Sequence, residues 1–123
     1  MLKIPTKITI EESPIHGFGV FATDIIERNE VIEECHLIIT ESDPNMMLPW
    51  QKDYGFAYPI KMGTESVIPL GYGAIYNHSD DNNAFWRHHP AYKAFQFVAL
   101  RQIKIGEEIM TYYGKSYSGI LKS

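Results

Sequence analysis

Seven short apolar runs, each bounded by turn-forming residues, limit the fold of this 123-residue sequence more than any other feature. Runs of this length at this spacing favour many short strands over a few long helices. The sequence therefore predicts a mainly β fold built from several small sheets. The predicted strands cover Lys7–Glu11, Phe18–Ala22, Val31–Ile39, Phe56–Ile60, Ser66–Leu70, Ala94–Leu100 and Glu108–Tyr113.

The run Ala94–Leu100 has a strict alternation in which Phe95 and Phe97 are separated by Gln96 and followed by Val98. Successive side chains of a strand point to opposite faces of the sheet. Because residues of both sets are apolar, the pattern predicts a strand that is largely buried on one face and partly buried on the other.

Two four-residue segments, Glu27–Glu30 and Lys104–Glu107, separate apolar runs and resemble each other. Asn29 and Gly106 occupy the same position in the two segments, and both residue types tolerate a left-handed backbone. The sequence therefore predicts two matching tight turns. Helix is predicted only around Pro49–Tyr54 and Ala74–Asn77.

The length and composition indicate one globular domain over residues 1–123, with 45% hydrophobic residues and no disordered or low-complexity tract. Fifteen acidic residues against eleven basic ones give a formal charge of −4, and no basic cluster resembles a phosphate-binding stripe. A direct nucleic-acid ligand is therefore not expected. A mildly acidic surface suits a basic partner such as a lysine-rich peptide.

Cys35 is the single cysteine of the sequence, which excludes an internal disulfide and a cysteine-based zinc cluster within one chain. The five histidines lack the spacing of a metal site, so no metal is predicted. No stretch near the N-terminus resembles a signal peptide and none elsewhere is long enough to span a membrane. We expect a soluble intracellular protein, either cytoplasmic or, for a virus of a eukaryote, in the host nucleus.

Two weak motifs point to other chemistries. Gly17–Ala22 matches the G-x-G-x-x-A pattern of dinucleotide-binding folds, but β-branched and aromatic residues follow it where that fold needs a helix. Cys35 and His36 would form the pair of a cysteine hydrolase, yet neighbours on a strand face opposite ways. We therefore expect Cys35 to be a core residue and keep the hydrolase as a disfavoured alternative.

Tyrosine and glycine concentrate in two segments, Gly71–Ser79 and Gly106–Gly114, and the first of them also holds the pair Asn77 and His78. Glycine lets a backbone approach a ligand closely, and tyrosine presents a rigid apolar face with one polar tip. Single tyrosines of this kind are usually core residues. The clustering of several beside glycines predicts a narrow aromatic channel next to a pocket lined by backbone.

Three motifs follow one another along the chain: His16–Ala22, then Tyr76–Ser79 with Asn83, then Gly106–Ile109 leading to Tyr113. In this order the sequence resembles SET-domain protein lysine methyltransferases, especially compact stand-alone viral and bacterial members, over residues 13–117. The resemblance implies a β-clip-like fold of small curled sheets with little helix. In that fold the C-terminal segment threads beneath the loop that contains Asn77, forming a pseudoknot.

The resemblance also implies a site in which S-adenosylmethionine and a substrate lysine meet at Tyr113, which matches the catalytic tyrosine of the family. Tyr117 or its neighbours would cover the adenine of the cofactor. The implied cofactor-binding residues are Gly17, Phe18, Gly19, Asn77, His78, Tyr113 and Tyr117. The implied catalytic and channel residues are Tyr113, Tyr54 and Tyr76.

The implied activity is transfer of a methyl group to the ε-amine of a lysine in a basic protein or histone-like tail. The alternative is a catalytically silent module of the same fold that binds a lysine peptide or an assembly partner. Because six residues follow Tyr117, a homodimer partner is expected to complete the channel. Thr111 stands where many members of the family carry an aromatic ring, which implies room for more than one methyl group.

Overall fold

The computed structural model describes residues 2–40, 56–60 and 63–112, and within these ranges the chain forms nine strands and no helix. No helix of the described residues is therefore able to cross a membrane. The strands are Ile8–Glu12 (β1), Phe18–Ala22 (β2), Val31–Thr40 (β3), Phe56–Ile60 (β4), Gly63–Pro69 (β5), Asn77–His78 (β6), Ala84–His88 (β7), Ala94–Ala99 (β8) and Glu108–Thr111 (β9).

The strands form two sheets, one of four strands in the order β1-β2-β9-β6 and one of five in the order β4-β5-β3-β8-β7. Every described pair is antiparallel except β6 with β9, which run parallel. The mainly β fold of several small sheets is therefore confirmed. Each predicted strand is present, with ends that differ from the prediction by a few residues.

Strand β8 is the centre of the hydrophobic core, and all six of its residues are buried. It lies between β3 and β7 in the larger sheet, so it is hydrogen-bonded on both edges. Phe97 stacks on the ring of Tyr76 with centroids 4.5 Å apart, and Phe95 meets Phe56 edge-on at 5.4 Å. The burial of both faces agrees with the alternation of apolar residues on this strand.

The two matching turns are confirmed, since Asn29 has φ of 70° and Gly106 has φ of 84°. Reciprocal hydrogen bonds join each turn to the strand that precedes the other. The Asn29 N–H donates to the Ala99 carbonyl at 2.8 Å, and the Gly106 N–H donates to the Ala22 carbonyl at 2.8 Å. Because Ala22 ends β2 and Ala99 ends β8, this exchange ties the two sheets together.

The predicted helix over Ala74–Asn77 is wrong. A turn occupies residues 70–75, with the Ile75 N–H donating to the Tyr72 carbonyl at 2.9 Å, and Asn77 opens strand β6. Pairing with β9 needs an extended backbone at Asn77, and this long-range contact prevails over local helix propensity. The other predicted helix, Pro49–Tyr54, lies outside the described residues.

Strand β7 was not predicted from the sequence. Its residues alternate poorly, and its stabilisation comes from pairing along the whole of β8. Trp86 lies opposite Phe97 in this pairing, and the Trp86 and Phe95 rings have centroids 4.8 Å apart. Cross-strand aromatic pairs of this kind stabilise a sheet, but the partner strand is not visible in the local sequence.

Candidate functional site

The short strand β6 places Asn77 and His78 at one edge of the smaller sheet, where β6 pairs in parallel with β9. Asn77 lies opposite Met110 of β9, and His78 lies opposite Thr111. The Ser79 N–H extends this pairing by donating to the Thr111 carbonyl at 3.0 Å. The loop after β6 therefore lies directly against the last described strand.

Asn83 holds β9 from the other end of this loop. Its side-chain amide donates to the Glu108 carbonyl at 2.8 Å, and its Oδ1 accepts from the Met110 N–H at 2.8 Å. The side chain is fully buried, so neither hydrogen bond competes with water. One asparagine thus substitutes for a neighbouring strand and fixes β9 between β2 and the loop that contains Asn77.

The Asn77 side chain bonds to two distant segments of the chain, one around residues 16–18 and one at Glu108. Its Nδ2 lies 2.8 Å from Oε2 of Glu108, 3.1 Å from the His16 carbonyl and 3.3 Å from the Phe18 carbonyl. All three partners are acceptors, so the amide nitrogen must face them. Oδ1 of Asn77 therefore faces the opposite way, and within the described residues it accepts no hydrogen bond.

Glu108 supports Asn77 and the segment before β2 at the same time. Besides the Asn77 amide, its carboxylate accepts from the Ser13 hydroxyl at 2.8 Å and 2.9 Å. The Ser13 hydroxyl in turn accepts from the Ile15 N–H at 3.0 Å. The carboxylate thus organises the backbone that leads into the glycine pair Gly17 and Gly19.

Glycine is required at positions 17 and 19 for different structural reasons. Gly17 has φ of +46°, a left-handed conformation that other residues rarely adopt. A Cβ on Gly19 would collide with the Glu108 carboxylate and come within 3.1 Å of Nδ2 of Asn77. Between them Phe18 exposes 62% of its surface. This arrangement leaves an accessible backbone and an exposed aromatic ring beside Asn77.

His78 lies on the side of the pair that faces solvent. Its ring centroid is 5.0 Å from that of Tyr112, and Nε2 lies 3.3 Å from Oδ1 of Asp80. The His78 side chain is 20% exposed, and Tyr112 is 41% exposed. The two rings form a partly open aromatic surface next to Asn77.

The segment before Asn77 is anchored in the core by a buried carboxyl. The Tyr76 hydroxyl donates to Oε1 of Glu33 at 2.7 Å, and the Tyr72 N–H lies 3.4 Å from Oε2. Burial raises the pKa of Glu33, although these hydrogen bonds oppose the rise. Burial, followed by the charge of Glu33, also raises the pKa of Tyr76 well above its usual value.

A comparison with protein families places these residues in a known context. Residues 17–114 match the family described as "SET domain". The chain belongs to the SET domain family. The match begins at the glycine pair and includes both β6 and β9.

Two relatives of this SET domain are named as histone methyltransferases. One is "Histone-lysine N-methyltransferase, H3 lysine-37 specific" of Schizosaccharomyces pombe, 25% identical over 114 residues, which cover 90% of this chain and 76% of the relative. The other is a crystal structure of a Plasmodium falciparum protein titled "putative histone methyltransferase". It is 34% identical with a TM-score of 0.75, and the match covers 94% of this chain and 99% of that one.

The structure brings together five of the residues predicted to bind cofactor: Gly17, Phe18, Gly19, Asn77 and His78. Tyr76 is 1% exposed, and its hydroxyl bonds to Glu33 inside the core of the SET domain. Its assignment to the lysine channel stays a prediction, as does the homodimer. The predicted residues Tyr54, Tyr113 and Tyr117 lie outside the described residues.

Cys35 is a core residue, as the sequence predicted, and is 2% exposed while His36 is exposed on the opposite face of β3. Burial and the neighbouring Glu33 carboxyl raise the pKa of its thiol. A thiol that stays protonated is a poor nucleophile. Over residues 2–40, 56–60 and 63–112, no three His, Cys, Asp or Glu side chains are grouped as metal ligands would be.

Sequence reasoning missed the supporting residues Ser13, Glu33 and Glu108. None has a residue type that indicates its role by itself. Glu33 and Glu108 accept hydrogen bonds from residues far away in the sequence, and Ser13 donates one to Glu108. Of the three, Glu108 had the clearest signal in the sequence. It directly follows a tight turn and opens an apolar strand, and a glutamate is rarely found partly buried in such a place without a partner. The hydrogen bond between Glu108 and Asn77 could be identified only from the fold.

Proposed function

We propose that this SET domain is an S-adenosylmethionine-dependent protein-lysine N-methyltransferase that acts on a lysine in a basic protein or histone-like tail. The observation that supports it most directly is the orientation of Asn77. Its amide nitrogen is held by Glu108 and by the His16 and Phe18 carbonyls, so Oδ1 points away from these three acceptors and is left for a ligand. The names of the two relatives agree with this activity.

The described residues have donors, acceptors and apolar faces suited to S-adenosylmethionine. Oδ1 of Asn77 would accept from the ammonium group of the cofactor, and nothing crowds the position above Gly17. The exposed ring of Phe18 offers an apolar face for the adenine, and we assign Tyr117 to cover the other side. His78 would complete the site. When bound, the cofactor supplies a methyl group on a positively charged sulfur.

The protein's part in the reaction is to present the lysine as a neutral amine. A free lysine has a pKa near 10.4, so deprotonation at pH 7 costs about 4.6 kcal/mol. We assign the channel walls to Tyr54, Tyr76 and Tyr113, whose rings exclude water and so disfavour the ammonium form. The Tyr113 hydroxyl would orient the amine and stabilise developing charge in a dry site. No carboxylate base is needed.

Thr111 would set how many methyl groups fit. It is 1% exposed, and its side chain is much smaller than an aromatic ring. We propose that the channel beside it admits methylated lysine for a further round of transfer. Incubation with excess cofactor should then yield di- and trimethylated products, and a product that stops at one methyl group would contradict this.

The test is incubation with labelled S-adenosylmethionine and a mixture of histones and other basic proteins, followed by mass spectrometry of the modified residues. The wild type should transfer label to lysine. Tyr113→Phe should lose transfer by at least about a hundredfold while calorimetry shows nearly unchanged cofactor affinity. Tyr92→Phe, an exposed tyrosine remote from β6 and β9, is the matched control and should be fully active.

Two results would contradict the proposal. Wild-type protein that binds the cofactor and a lysine peptide but transfers no label would instead identify the catalytically silent binding module. Full activity of Tyr113→Phe would remove Tyr113 from the catalytic role and leave the rest of the site standing.

A further inference from the structure

Glu33 is an acidic side chain in the middle of β3 that is 1% exposed. An ionisable group is costly to bury unless hydrogen bonds compensate for lost water. Apart from the Cys35 thiol two residues along β3, the described partners of its carboxyl are contributed by one short stretch of chain, the turn over residues 70–75 and Tyr76. The carboxyl therefore links the core of the larger sheet to this one segment.

The contacts are made at several points of the turn. Oε1 accepts from the Tyr76 hydroxyl at 2.7 Å, near the optimum for an O–H donor, and Oε2 lies 3.4 Å from the Tyr72 nitrogen. Oε2 also lies 2.9 Å from the position that a Cβ on Gly71 would occupy, where the backbone is left-handed with φ of 70°. The carboxyl fits closely against a turn that another residue at position 71 would disturb.

This turn leads without a linker into strand β6. Tyr76 is followed directly by Asn77, so the segment that carries Asn77 and His78 is fixed at its start by Glu33 and along its length by β9. The ring of Tyr76 is also stacked on Phe97 of the central strand. Any displacement of Tyr76 must therefore be transmitted to Asn77.

We propose that Glu33 is a positioning residue, which holds the Tyr72–Tyr76 segment so that Asn77 and His78 keep the orientation they have beside Gly17–Gly19. Glu33 has no described hydrogen bond to Asn77, His78 or Gly17–Gly19 and acts on them through Tyr76. The consequence for cofactor affinity rests on the proposed methyltransferase function, whereas the positioning of β6 is a property of the free protein.

Amide hydrogen exchange of the free protein tests the positioning without any ligand. The reporters are the Tyr72 amide, which faces Glu33, and the Ser79 amide, which bonds across to β9. Glu33→Gln keeps an oxygen that accepts from the Tyr76 hydroxyl but turns an NH2 group, which cannot accept, toward the Tyr72 N–H. Tyr76→Phe removes only the hydroxyl that donates to Glu33. In both variants we expect exchange at Tyr72 and Ser79 to be about five- to tenfold faster.

Glu34→Gln is the matched control, because Glu34 is the next residue on β3 and bonds to Gln96 and His89 on the other face. It should leave exchange at Tyr72 and Ser79 unchanged. If Glu33→Gln and Tyr76→Phe also leave Ser79 unchanged, or if Glu34→Gln accelerates it equally, the positioning role is refuted.

A double variant separates positioning from simple stability. Combining Glu33→Leu with Tyr76→Phe removes the buried carboxyl and hydroxyl together and leaves only the long Tyr72 N–H contact without its acceptor, so thermal stability should be higher than in Glu33→Leu alone. If Glu33 is a positioning residue, fast exchange at Ser79 should persist in this variant. Recovery of slow exchange together with stability would show that Glu33 does no more than satisfy a buried hydroxyl, which overturns the proposal.

Cofactor affinity is measured on the same proteins. The two single variants should bind S-adenosylmethionine about five- to tenfold more weakly than wild type, and Glu34→Gln should bind normally. Wild-type protein that binds no cofactor would contradict the proposed function while leaving the exchange result intact. If variants with fast exchange at Ser79 bind the cofactor with normal affinity, Glu33 positions β6 in the free protein but has no effect on cofactor binding.

Discussion

Asn77 cannot be replaced by a carboxylate, because its amide nitrogen is surrounded by acceptors. Glu108, the His16 carbonyl and the Phe18 carbonyl all require a donor at this position. An aspartate of nearly the same shape would place two carboxylates at hydrogen-bond distance. The amide thus has one nitrogen that secures the fold and one oxygen that we assign to the cofactor.

Asn77→Asp should lower the free energy of unfolding by at least about 2 kcal/mol, since three acceptors lose their donor and a second charge is added. Urea denaturation measures the effect. Asn29→Asp is the control, because it makes the same chemical change on an exposed turn where aspartate tolerates the left-handed backbone. Equal stability of the two variants would contradict the hydrogen-bond arrangement around Asn77.

Thr111 buries a hydroxyl that has no hydrogen-bond partner among the described residues. Burying such a group costs about 1–3 kcal/mol, so Thr111→Val, which has the same shape, should raise the free energy of unfolding by roughly 1 kcal/mol. Thermal melts of the free protein are the measurement. Destabilisation by valine would mean that the hydroxyl is satisfied by bound water.

Thr111→Phe tests the proposed size of the channel rather than stability. The larger ring should shift the products toward monomethyl-lysine in a mass-spectrometric assay with excess cofactor. Thr111→Val keeps the size and should keep the wild-type product distribution. If the Thr111→Phe variant still produces trimethyl-lysine, residue 111 does not limit the size of the channel.

Strand β9 has an unusual position among the elements, since its two edges are held by different kinds of partner. On one edge it pairs with β2, with Val20 opposite Ile109. On the other it meets the two-residue strand β6 and then the side chain of Asn83. The Asn83 side chain continues the hydrogen bonding where the loop bends away, so it adds to the hold that β2 and β6 have on β9.

Asn83→Leu should remove both hydrogen bonds to β9 while preserving side-chain volume. The Met110 N–H and the Glu108 carbonyl would be left unpaired in a partly buried environment, at a cost of about 2–4 kcal/mol in the free energy of unfolding. Chemical denaturation measures the loss, and exchange of the Met110 amide localises it.

Asn82→Leu is the neighbouring control, because the Asn82 side chain makes one local hydrogen bond, to the Ala84 carbonyl at 2.8 Å. Its expected cost is about 0.5–1.5 kcal/mol. If the two leucine variants are equally stable, the contact of Asn83 with β9 contributes nothing beyond local structure.

The stability of the whole molecule should depend on pH through Glu33. Its pKa is raised above the ordinary value of 4.5 by burial. Below pH 4.5 the carboxyl is protonated in both states, and as the pH rises toward the folded-state pKa the unfolded chain loses its proton first. The free energy of unfolding therefore decreases on this rise, by about 1.4 kcal/mol for each unit by which the pKa is raised.

Thermal melts from pH 5 to pH 8 should show this decrease in the wild type and not in Glu33→Gln. The titratable neighbours of Glu33, Cys35 and Tyr76, have raised pKa values from burial and do not ionise in this range. A wild-type melting profile parallel to that of Glu33→Gln would contradict the assignment.

Glu34 serves as a control, because its pKa is shifted in the opposite direction from that of Glu33. Burial pushes its pKa upward, but hydrogen bonds from Gln96 and the Lys3 N–H and the proximity of His89 outweigh burial and lower it. Its contribution to stability is present above pH 4.5 and is lost as the pH falls through its lowered folded-state pKa. Glu34→Gln should therefore be destabilised at neutral pH and resemble the wild type in acid.

Local sequence was sufficient to predict those parts of the fold that depend on near neighbours. The apolar run Ala94–Leu100 became the central strand, and the turn residues Asn29 and Gly106 adopted the left-handed backbone that their chemistry allows. The glycine pair and the Asn77 motif were assigned to one site from the resemblance to the SET family and not from local chemistry. Hydrophobic periodicity and turn chemistry act over a few residues, so they can be read without the fold.

What the sequence determined by itself was seven of the nine described strands, the two tight turns and the residues Gly17, Gly19, Asn77 and His78 as candidates. The tertiary structure decided that Asn77 belongs to a strand and not a helix, that Asn83 holds β9, and that Glu33 and Glu108 support the site. These contacts join residues 24 to 95 positions apart. Their energy depends on burial and on partners that local sequence does not specify, so folding had to bring them together.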